Sequence, residues 1–460
     1  MQDDETLMIE QNDKKIVSKG EINMNISLIG TGYVGLITGI CLAEFGMNVM
    51  CMDTDREKIH KLNEGTLPIY EPGLEELMKK NYNEGRIKFS TDIKKAVKHG
   101  KVIFIAVGTP ALEDNNADLQ YVFQAVKEIG IYMEEYKVIV DKSTVPVGTG
   151  QRVKNEIKDI LKQRKKDIPF DVVSNPEFLR EGSALKNFMK PDRIVIGAES
   201  KKAINIMKSI YRVQSMIDIP LIITNIETAE IIKYASNAFL STKISFINEI
   251  ANMCELCNAD ISIVSRAMGL DTRIGPQFLN PGPGFGGSCF PKDTKSIVSI
   301  GKEIGYVPRI VESVITVNEN QRDLMVKKIE KIAGNLENKV ITILGLAFKP
   351  ETDDIREAPS IYIIQEILKK HGKVKVFDPQ AMENMKKLYP FLDIEYSKDT
   401  YKACMNSDCI VLLTEWKEFL DLNFVKLKKL VRRPIFIDLR NVYEPEYIEK
   451  AGFLYEGVGR

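Results

Sequence analysis

The sequence predicts an α/β architecture, two doubly wound sheets joined by a long central helix, and three observations carry that expectation. Short apolar strands alternate with helical stretches from Met24 onward. A helical periodicity then runs without a break from about 225 to 257. Beyond about 335 the strand–helix alternation restarts.

Taken in order, NISLIG is the first strand, GTGYVG a Gly-rich turn, residues 33–46 a helix and NVMCMD the second strand. VIFIAVGTP, KVIVDKST and FDVVSNPE supply further strands of the same sheet. Within the long helix Ile226, Ala229, Ile232, Ala235, Phe239, Ile244, Ile247, Ile250 and Met253 recur at helical spacing, and the length predicts a spine between domains. KVITILGLAF, a helix from about 358 to 371, KVKVFDP, CIVLLTEW and PIFIDLRN then predict a second domain of similar plan. Residues 1–23 are polar and aperiodic, which predicts a mobile N-terminal extension.

The bulk composition excludes several functions. At 460 residues the chain exceeds what one hydrophobic core usually serves. Lys plus Arg and Asp plus Glu each number 64, so no basic excess points to nucleic acid. No apolar run reaches the length of a membrane span, the N-terminus lacks the apolar segment of a signal peptide, and a cytoplasmic location is expected. Seven scattered cysteines do not form a disulfide framework and fit a reducing compartment. Cys254 and Cys257 form a lone CxxC inside the helical run, which reads as packing, and no metal is expected. His60, His99 and His371 lie outside any stretch resembling a site, so histidine acid–base chemistry is not expected.

GTGYVG places Gly30, Gly32 and Gly35 at G-x-G-x-x-G spacing between a strand and a helix, the turn of Rossmann-like sheets. Those glycines permit a tight turn and let a pyrophosphate approach the backbone at a helix N-terminus. Asp53 ends the next strand, where a carboxylate can accept bonds from a ribose diol, and this favours NAD over NADP. Lys58 either reaches toward the adenosine or is a solvated helix lysine. Thr109 and Thr144 sit at carboxyl ends of strands, where such sheets bind ligands.

GFGGSCFPKD raises the question of a nucleophile. Pro291 suits the first turn of a helix, so Cys289 would stand before a positive helix end with Lys292 nearby, surroundings that favour thiolate. Gly284, Gly286 and Gly287 leave room beside the sulfur, and Asp293 adds a group able to handle a proton or a water. The alternative is a buried packing cysteine. NPEFLREGSA sets Glu177 and Glu181 in one loop, as an acid–base pair or as solvated surface. Lys233 and Asn237 stand at i and i+4; among apolar neighbours the lysine can serve as base or oxyanion partner, and the alternative is the solvated side of the spine.

Together GTGYVGL, KSTVPVGT, NPEFLREGSA, KYASNAFLSTKISFINE, GFGGSCFPKD and LGLAFKPETDDIRE resemble the nucleotide-sugar 6-dehydrogenase family, in its UDP-glucose branch, from Met24 almost to the C-terminus. The resemblance implies an NAD-binding domain over 24–224, a central helical and dimerisation region over 225–334 that carries the thiol loop, and a UDP-sugar-binding domain over 335–460. It implies that the C6 alcohol of UDP-glucose is oxidised with NAD, held on Cys289 as thiohemiacetal and then thioester, and hydrolysed to the carboxylate. GDP-mannose and UDP-N-acetylhexosamine are the alternative substrates, and an NAD-binding redox sensor is the non-enzymatic alternative. By resemblance Lys233 is base and oxyanion partner, Asn237 orients it, and Asp293, Glu181 and Thr144 position water. Tyr33, Val34, Lys58, Thr109, Thr144, Glu181, Lys292 and Arg356 join the glycines and Asp53 around NAD. Glu177, Phe178, Leu179, Arg180 and Glu181, then Phe278, Leu279, Asn280, Pro281 and Gly282, with Gly286, Lys349 and Arg440, line the nucleotide sugar together with Lys233 and Asn237. Arg273 enters from the neighbouring subunit of a homodimer or higher homo-oligomer. Pro281 and Pro283 depart from the family pattern and predict a stiffer loop.

Overall fold

The computed structural model describes residues 24–112 and 114–460, so the expected extension over 1–23 lies outside the described residues. The first sheet contains β1 (Asn25–Ile29), β2 (Asn48–Met52), β3 (Ile87–Ser90), β4 (Val102–Ile105), β5 (Lys137–Asp141), β6 (Phe170–Ser174), β7 (Ile194–Ala198) and β8 (Leu221–Thr224). Their order is β3-β2-β1-β4-β5-β6-β7-β8, parallel except where β7 meets β6. Successive residues of β4 go to opposite faces: Val102 and Phe104 join one core, Ile103 and Ile105 the other. Helices therefore cover both faces, and near-continuous apolar strands follow from that double burial.

The second sheet contains β9 (Val340–Leu344), β10 (Lys373–Phe377), β11 (Ile394–Tyr396), β12 (Cys409–Leu412), β13 (Ile435–Asp438) and β14 (Leu454–Glu456), all parallel, in the order β11-β10-β9-β12-β13-β14. Both sheets reverse direction beside their first strand, and ligands of such folds collect at that switch point. The two Rossmann-like sheets expected from the alternation are present. Sequence patterning left out β3, β8, β11 and β14, which are short and end a sheet, and also the five-residue β7 between β6 and β8.

Five helices matter for the site. Helix α1 (Tyr33–Glu44) follows the glycine turn, and α2 (Thr149–Gln163) follows β5. The spine is α3 (Ile226–Cys257). It starts where the Asn225 side chain accepts from the Thr228 N–H at 2.8 Å and stops at Asn258, whose φ is 56°. Helix α4 (Phe290–Glu303) and α5 (Arg309–Ala333) pack against it.

The expected apolar stripe of α3 divides between two faces. Ile226, Ala229 and Ile247 are buried, but the same inward face carries Glu230, Lys233, Asn237, Ser241, Ser245 and Asn248. On the other face Phe239 is 65% exposed, Met253 61% and Leu256 88%. Among the described residues no helix is long and apolar enough to cross a membrane.

Candidate active site

The glycine turn fits a dinucleotide. Gly30 has φ 98° and donates its N–H to Met52 O at 2.8 Å, a conformation that disfavours other residues. A Cβ on Gly35 would lie 2.0 Å from Gly30 O, whereas among the described residues nothing lies within 4 Å of the Cβ position of Gly32, which caps α1. The N-terminus of α1, where Tyr33 and Val34 open the helix, thus faces free space suited to a phosphate. Asp53 accepts from the Thr31 N–H at 2.8 Å, the Thr31 hydroxyl at 2.7 Å and the Lys58 ammonium at 3.1 Å. Burial works against its ionisation, but these donors and the Asp55 N–H outweigh it and hold the carboxyl below the usual range. Lys58 is therefore an ion-pair partner of Asp53. Tyr33 hydrogen-bonds Glu71, which also accepts from the Gly182 N–H at 2.7 Å, tying the glycine turn to the loop that holds Glu181. Thr109 donates to the backbone carbonyl of Thr144 at 3.0 Å and joins two strand ends of the same cleft.

Cys289 caps α4, with Pro291 in the first turn. The environment differs from the expected one. Lys292 is spent on Asp293 at 2.6 Å, and the cation that acts most strongly on the thiol is Lys233. Burial is the largest effect and pushes the Cys289 thiol up; Lys233 and a bond from Ser288 oppose it, while Glu177 and Asp293 add to it. The resting sulfur is held toward thiol, because few waters remain to solvate a thiolate.

Lys233 lies one helical turn from Asn237, yet their side chains diverge. The Lys233 ammonium donates to Glu177 at 2.8 Å, and both groups are buried. Asn237 donates to Asp293 at 2.6 Å. Asn237 orients Asp293 directly, not Lys233. Burial alone would lower the Lys233 pKa, but Glu177, Cys289 and Asp293 outweigh it and keep the amine charged. Glu177 stays ionised for the reciprocal reason, since Lys233, the Leu179 N–H and Lys142 overcome its burial. Such a pair suits stabilisation of a developing oxyanion better than proton abstraction.

Glu181 reaches across from the first sheet's loop to the second sheet's side. It accepts from Thr352 at 2.9 Å and Ser288 at 3.5 Å, with Arg356 at 3.7 Å. Burial first, then Asp354, pushes its pKa to about 7. The Ser288 hydroxyl lies 3.6 Å from the Cys289 sulfur, so Glu181 is one residue removed from the thiol. A carboxyl tuned to that value can take a proton from water at neutral pH.

Phe178 stacks under the Arg193 guanidinium at 3.5 Å and faces Lys233 at 5.6 Å. Arg180 is exposed and held to Asn187, whereas Leu179 is half-buried. Leu279, Pro281 and Gly282 are buried, Asn280 is exposed, and Phe278 with φ 64° turns its ring toward Phe290. Gly286 admits Glu357 O to 2.4 Å of its Cβ position. Arg440 donates to Phe348 O at 3.0 Å and comes within 3.1 Å of the Cβ position of Gly282. Lys349 is half-buried and has no ion-pair partner among the described residues, so a cation there is available to an anion. Arg356 is held by Asp354 through two bonds of 2.8 Å. Arg273 stands apart, 87% exposed and, among the described residues, paired only with Asp271.

Residues 24–215 match the NAD binding domain of the UDP-glucose/GDP-mannose dehydrogenase family, 227–320 its central domain and 342–445 its UDP binding domain. The chain belongs to the UDP-glucose/GDP-mannose dehydrogenase family.

Among relatives, a UDP-glucose 6-dehydrogenase of Rhizobium meliloti (strain 1021) is 45% identical over 441 residues, covering 95% of this chain and 100% of that protein. The UDP-glucose 6-dehydrogenase TuaD of Bacillus subtilis (strain 168) is 47% identical over 435 residues, covering 95% and 93%. A solved UDP-glucose dehydrogenase from the hyperthermophilic archaeon Pyrobaculum islandicum superposes with a TM-score of 0.88 at 35% identity, covering 97% of this chain and 100% of that one. The matched NAD binding domain carries the glycine turn and Asp53, the central domain carries Lys233, Asn237 and Cys289, and the UDP binding domain carries Lys349, Arg356 and Arg440.

Within this member of the UDP-glucose/GDP-mannose dehydrogenase family, sequence patterning passed over Glu71, Lys142, Arg193, Ser288 and Thr352. Lys142 is buried with its ammonium on Asn175 at 3.1 Å, and burial lowers its pKa to about 8. Its place in KST beside Thr144 was the available signal.

Proposed function

We propose that the protein is an NAD-dependent UDP-glucose 6-dehydrogenase that converts UDP-glucose to UDP-glucuronate through covalent intermediates on Cys289. The observation that carries the proposal is the meeting of three elements at one sulfur: the ion pair Lys233–Glu177, the Asn237–Asp293 bond and the Glu181–Ser288 contact all converge on Cys289. A single-hydride dehydrogenase needs no thiol there. The two relatives' names support UDP-glucose as the sugar nucleotide.

Bound NAD supplies the hydride acceptor, twice per sugar. The glycine turn and Asp53 bind and orient it, and Asp53 disfavours a 2′-phosphate. Lys233 holds the negative charge that gathers on the C6 oxygen, kept cationic by Glu177, and the proton of each oxidised hydroxyl is released to solvent. The Cys289 sulfur bonds to C6 of the aldehyde while its proton leaves toward the oxygen, so a half-oxidised product is retained. After the second oxidation Glu181 takes a proton from the attacking water, and the C–S bond breaks to return the thiol. Asp293, fixed by Asn237 and Lys292, orients that water together with Thr144. Lys349 and Arg440, with the Phe278–Gly282 segment, hold the nucleotide diphosphate in the domain over 335–460.

The protein acts as a homodimer built on the exposed face of α3, where Ala235, Phe239, Phe246, Met253 and Leu256 follow coiled-coil spacing. Arg273 lies beyond the end of that helix, free to enter the partner's site. All seven cysteines are free, which supports a cytoplasmic location.

The test is NADH formed per sugar across UDP-glucose, GDP-mannose and UDP-N-acetylhexosamines. Two NADH per UDP-glucose with no free aldehyde is expected; faster turnover of GDP-mannose contradicts the substrate. Cys289→Ser should halt short of the carboxylate while binding UDP-glucose nearly as before, and a serine variant that still yields two NADH contradicts the nucleophile.

A further inference from the structure

Between Gly282, placed above at the sugar, and Cys289, the proposed nucleophile, the chain runs PGFGGS, with left-handed φ values of 105° at Gly284 and 83° at Gly287. Glycine at such positions imposes no direction of its own, so the path of this segment must be set from outside. It is set by buried side chains of α3 and α5. The Gly282 N–H donates to Asn248 at 2.8 Å, and the Gly282 carbonyl accepts from Gln321 at 2.9 Å. Gln321 in turn accepts from Asn252 at 2.8 Å. Asn318 holds Phe285 from both sides: its carbonyl oxygen accepts the Phe285 N–H at 2.7 Å and its amide donates to the Phe285 carbonyl at 3.1 Å. That carbonyl also accepts from Arg322 at 3.1 Å.

Asn318 is 4% exposed, Gln321 1% and Asn248 0%, so no solvent competes for these bonds. The fit is close on the glycine side as well. A Cβ on Gly284 would stand 2.8 Å from the Asn318 side-chain oxygen, which makes the missing side chain part of the clamp. Phe285, once held, packs edge-on against Phe290 in the first turn of α4, directly after Cys289.

We infer that Asn318, supported by Gln321, is a positioning residue for capture of the aldehyde: it fixes the backbone at Phe285 so that the Cys289 sulfur stands within bonding reach of C6. The inference rests on the thiol chemistry proposed above. Capture forms the S–C6 bond and passes the thiol proton, in net terms, to the aldehyde oxygen. The preceding alcohol oxidation uses Lys233 and the first cofactor, none of which belongs to this loop. Loosening the clamp therefore separates the two halves of the reaction, and the aldehyde departs after one hydride.

The experiment uses the full chain with Asn318→Ala and, in parallel, Gln321→Met, which keeps the side-chain volume but removes the donor to Gly282. NADH per UDP-glucose is measured with an excess of a hydrazide that traps free aldehyde, and Cys289 alkylation by iodoacetamide is timed with and without UDP-glucose. The expected result is a ratio falling from two toward one, with trapped aldehyde, in whichever variant is soluble. A merely structural role would lower the melting temperature and the amount of active protein but leave the ratio at two, and a ratio of two in the soluble variants overturns the inference. A wild-type ratio of one sinks the functional proposal instead. In that event the alkylation rate decides alone: a change of about tenfold or more in the variants supports the clamp, and an unchanged rate overturns it.

Discussion

Lys233 and Glu177 are both sealed from water, and neither is tolerable there without the other. Removing one partner of a buried pair leaves an uncompensated charge, which typically costs about 3–5 kcal/mol. Lys233→Met should therefore lower the stability to urea by roughly that amount and reduce kcat by about a hundredfold or more, through loss of the oxyanion partner. Adding Glu177→Gln to Lys233→Met should restore most of the stability and none of the activity. Recovery of activity in the double variant would mean that Lys233 acts only as a counter-ion. Glu181 provides a second measurable consequence. With its pKa pushed to about 7, mainly by burial, the hydrolytic half of the reaction should accelerate as pH rises through that value. Single-turnover release of the carboxylate should follow that rise in the wild type and lose it in Glu181→Gln. Stability moves the other way: the folded pKa stands above the ~4.3 of a free glutamate, so the protonated form favours the fold. That contribution is complete below the free value and is lost as pH climbs through about 7. Glu181→Gln should flatten the melting temperature across this window.

The two sheets repeat one device at the level of elements. After β1, Gly30 donates to Met52 O at 2.8 Å, and Asp53 after β2 accepts from the turn at Thr31. After β9, Gly345 donates to Phe377 O at 2.9 Å, and Asp378 after β10 accepts from Leu346 at 2.7 Å and Ala347 at 3.0 Å. The difference lies in exposure. Asp53 is partly open, while Asp378 is fully buried and also accepts from the Trp416 indole at 3.0 Å and from the Gln380 and Ala381 amides. Asp53 keeps an accessible edge that the ribose of the proposed NAD could reach, whereas Asp378 is a buried structural knot. Asp378→Ala should strand several buried donors and cost about 3 kcal/mol or more in urea unfolding, whereas Asp53→Ala should cost little stability and instead raise the NADP to NAD ratio of kcat/KM. Equal losses of stability in the two variants would contradict this division. The contrast also shows what could be read in the chain beforehand. Long apolar strands, the glycine turn and the 32-residue spine are local patterns, and they were legible. Strand β8 was not, because Ile222 and Ile223 are exposed at a sheet edge and LIIT looks like any short apolar run. The thiol loop was legible by its residues but not by its partners. Lys233 meets Glu177 across 56 positions of sequence, Asn237 meets Asp293 across another 56, and no periodicity links them. The thiol's raised pKa likewise arises from burial, which a cysteine between a glycine run and a lysine does not announce.

On the proposed reading helix α3 would join catalysis and assembly, because its two faces differ in character. The inner face carries Lys233, Asn237 and Asn248; the outer face leaves Phe239, Phe246, Met253 and Leu256 in solvent. Exposed apolar side chains at heptad spacing are unfavourable in water, and in the proposed homodimer a second copy would cover them through a two-fold contact. Arg273 is consistent with the proposed dimer, since its guanidinium is 87% exposed and among the described residues bonds only to Asp271. If it completes the partner's site, a dimer of Arg273→Ala with Cys289→Ala contains one dead site and one whole site. The whole site combines the thiol of the first chain with the arginine of the second. Random re-pairing makes half the dimers hybrid, so the mixture should recover about one quarter of wild-type activity from two nearly inactive parents. Phe239→Glu together with Phe246→Glu should yield monomers by sedimentation and abolish that recovery. If Arg273 worked within its own chain, mixing would restore nothing, and if α3 were not the contact, the glutamate variants would remain dimeric and active. The hybrid measurement thus separates an arginine that crosses the interface from one that lies idle on the surface.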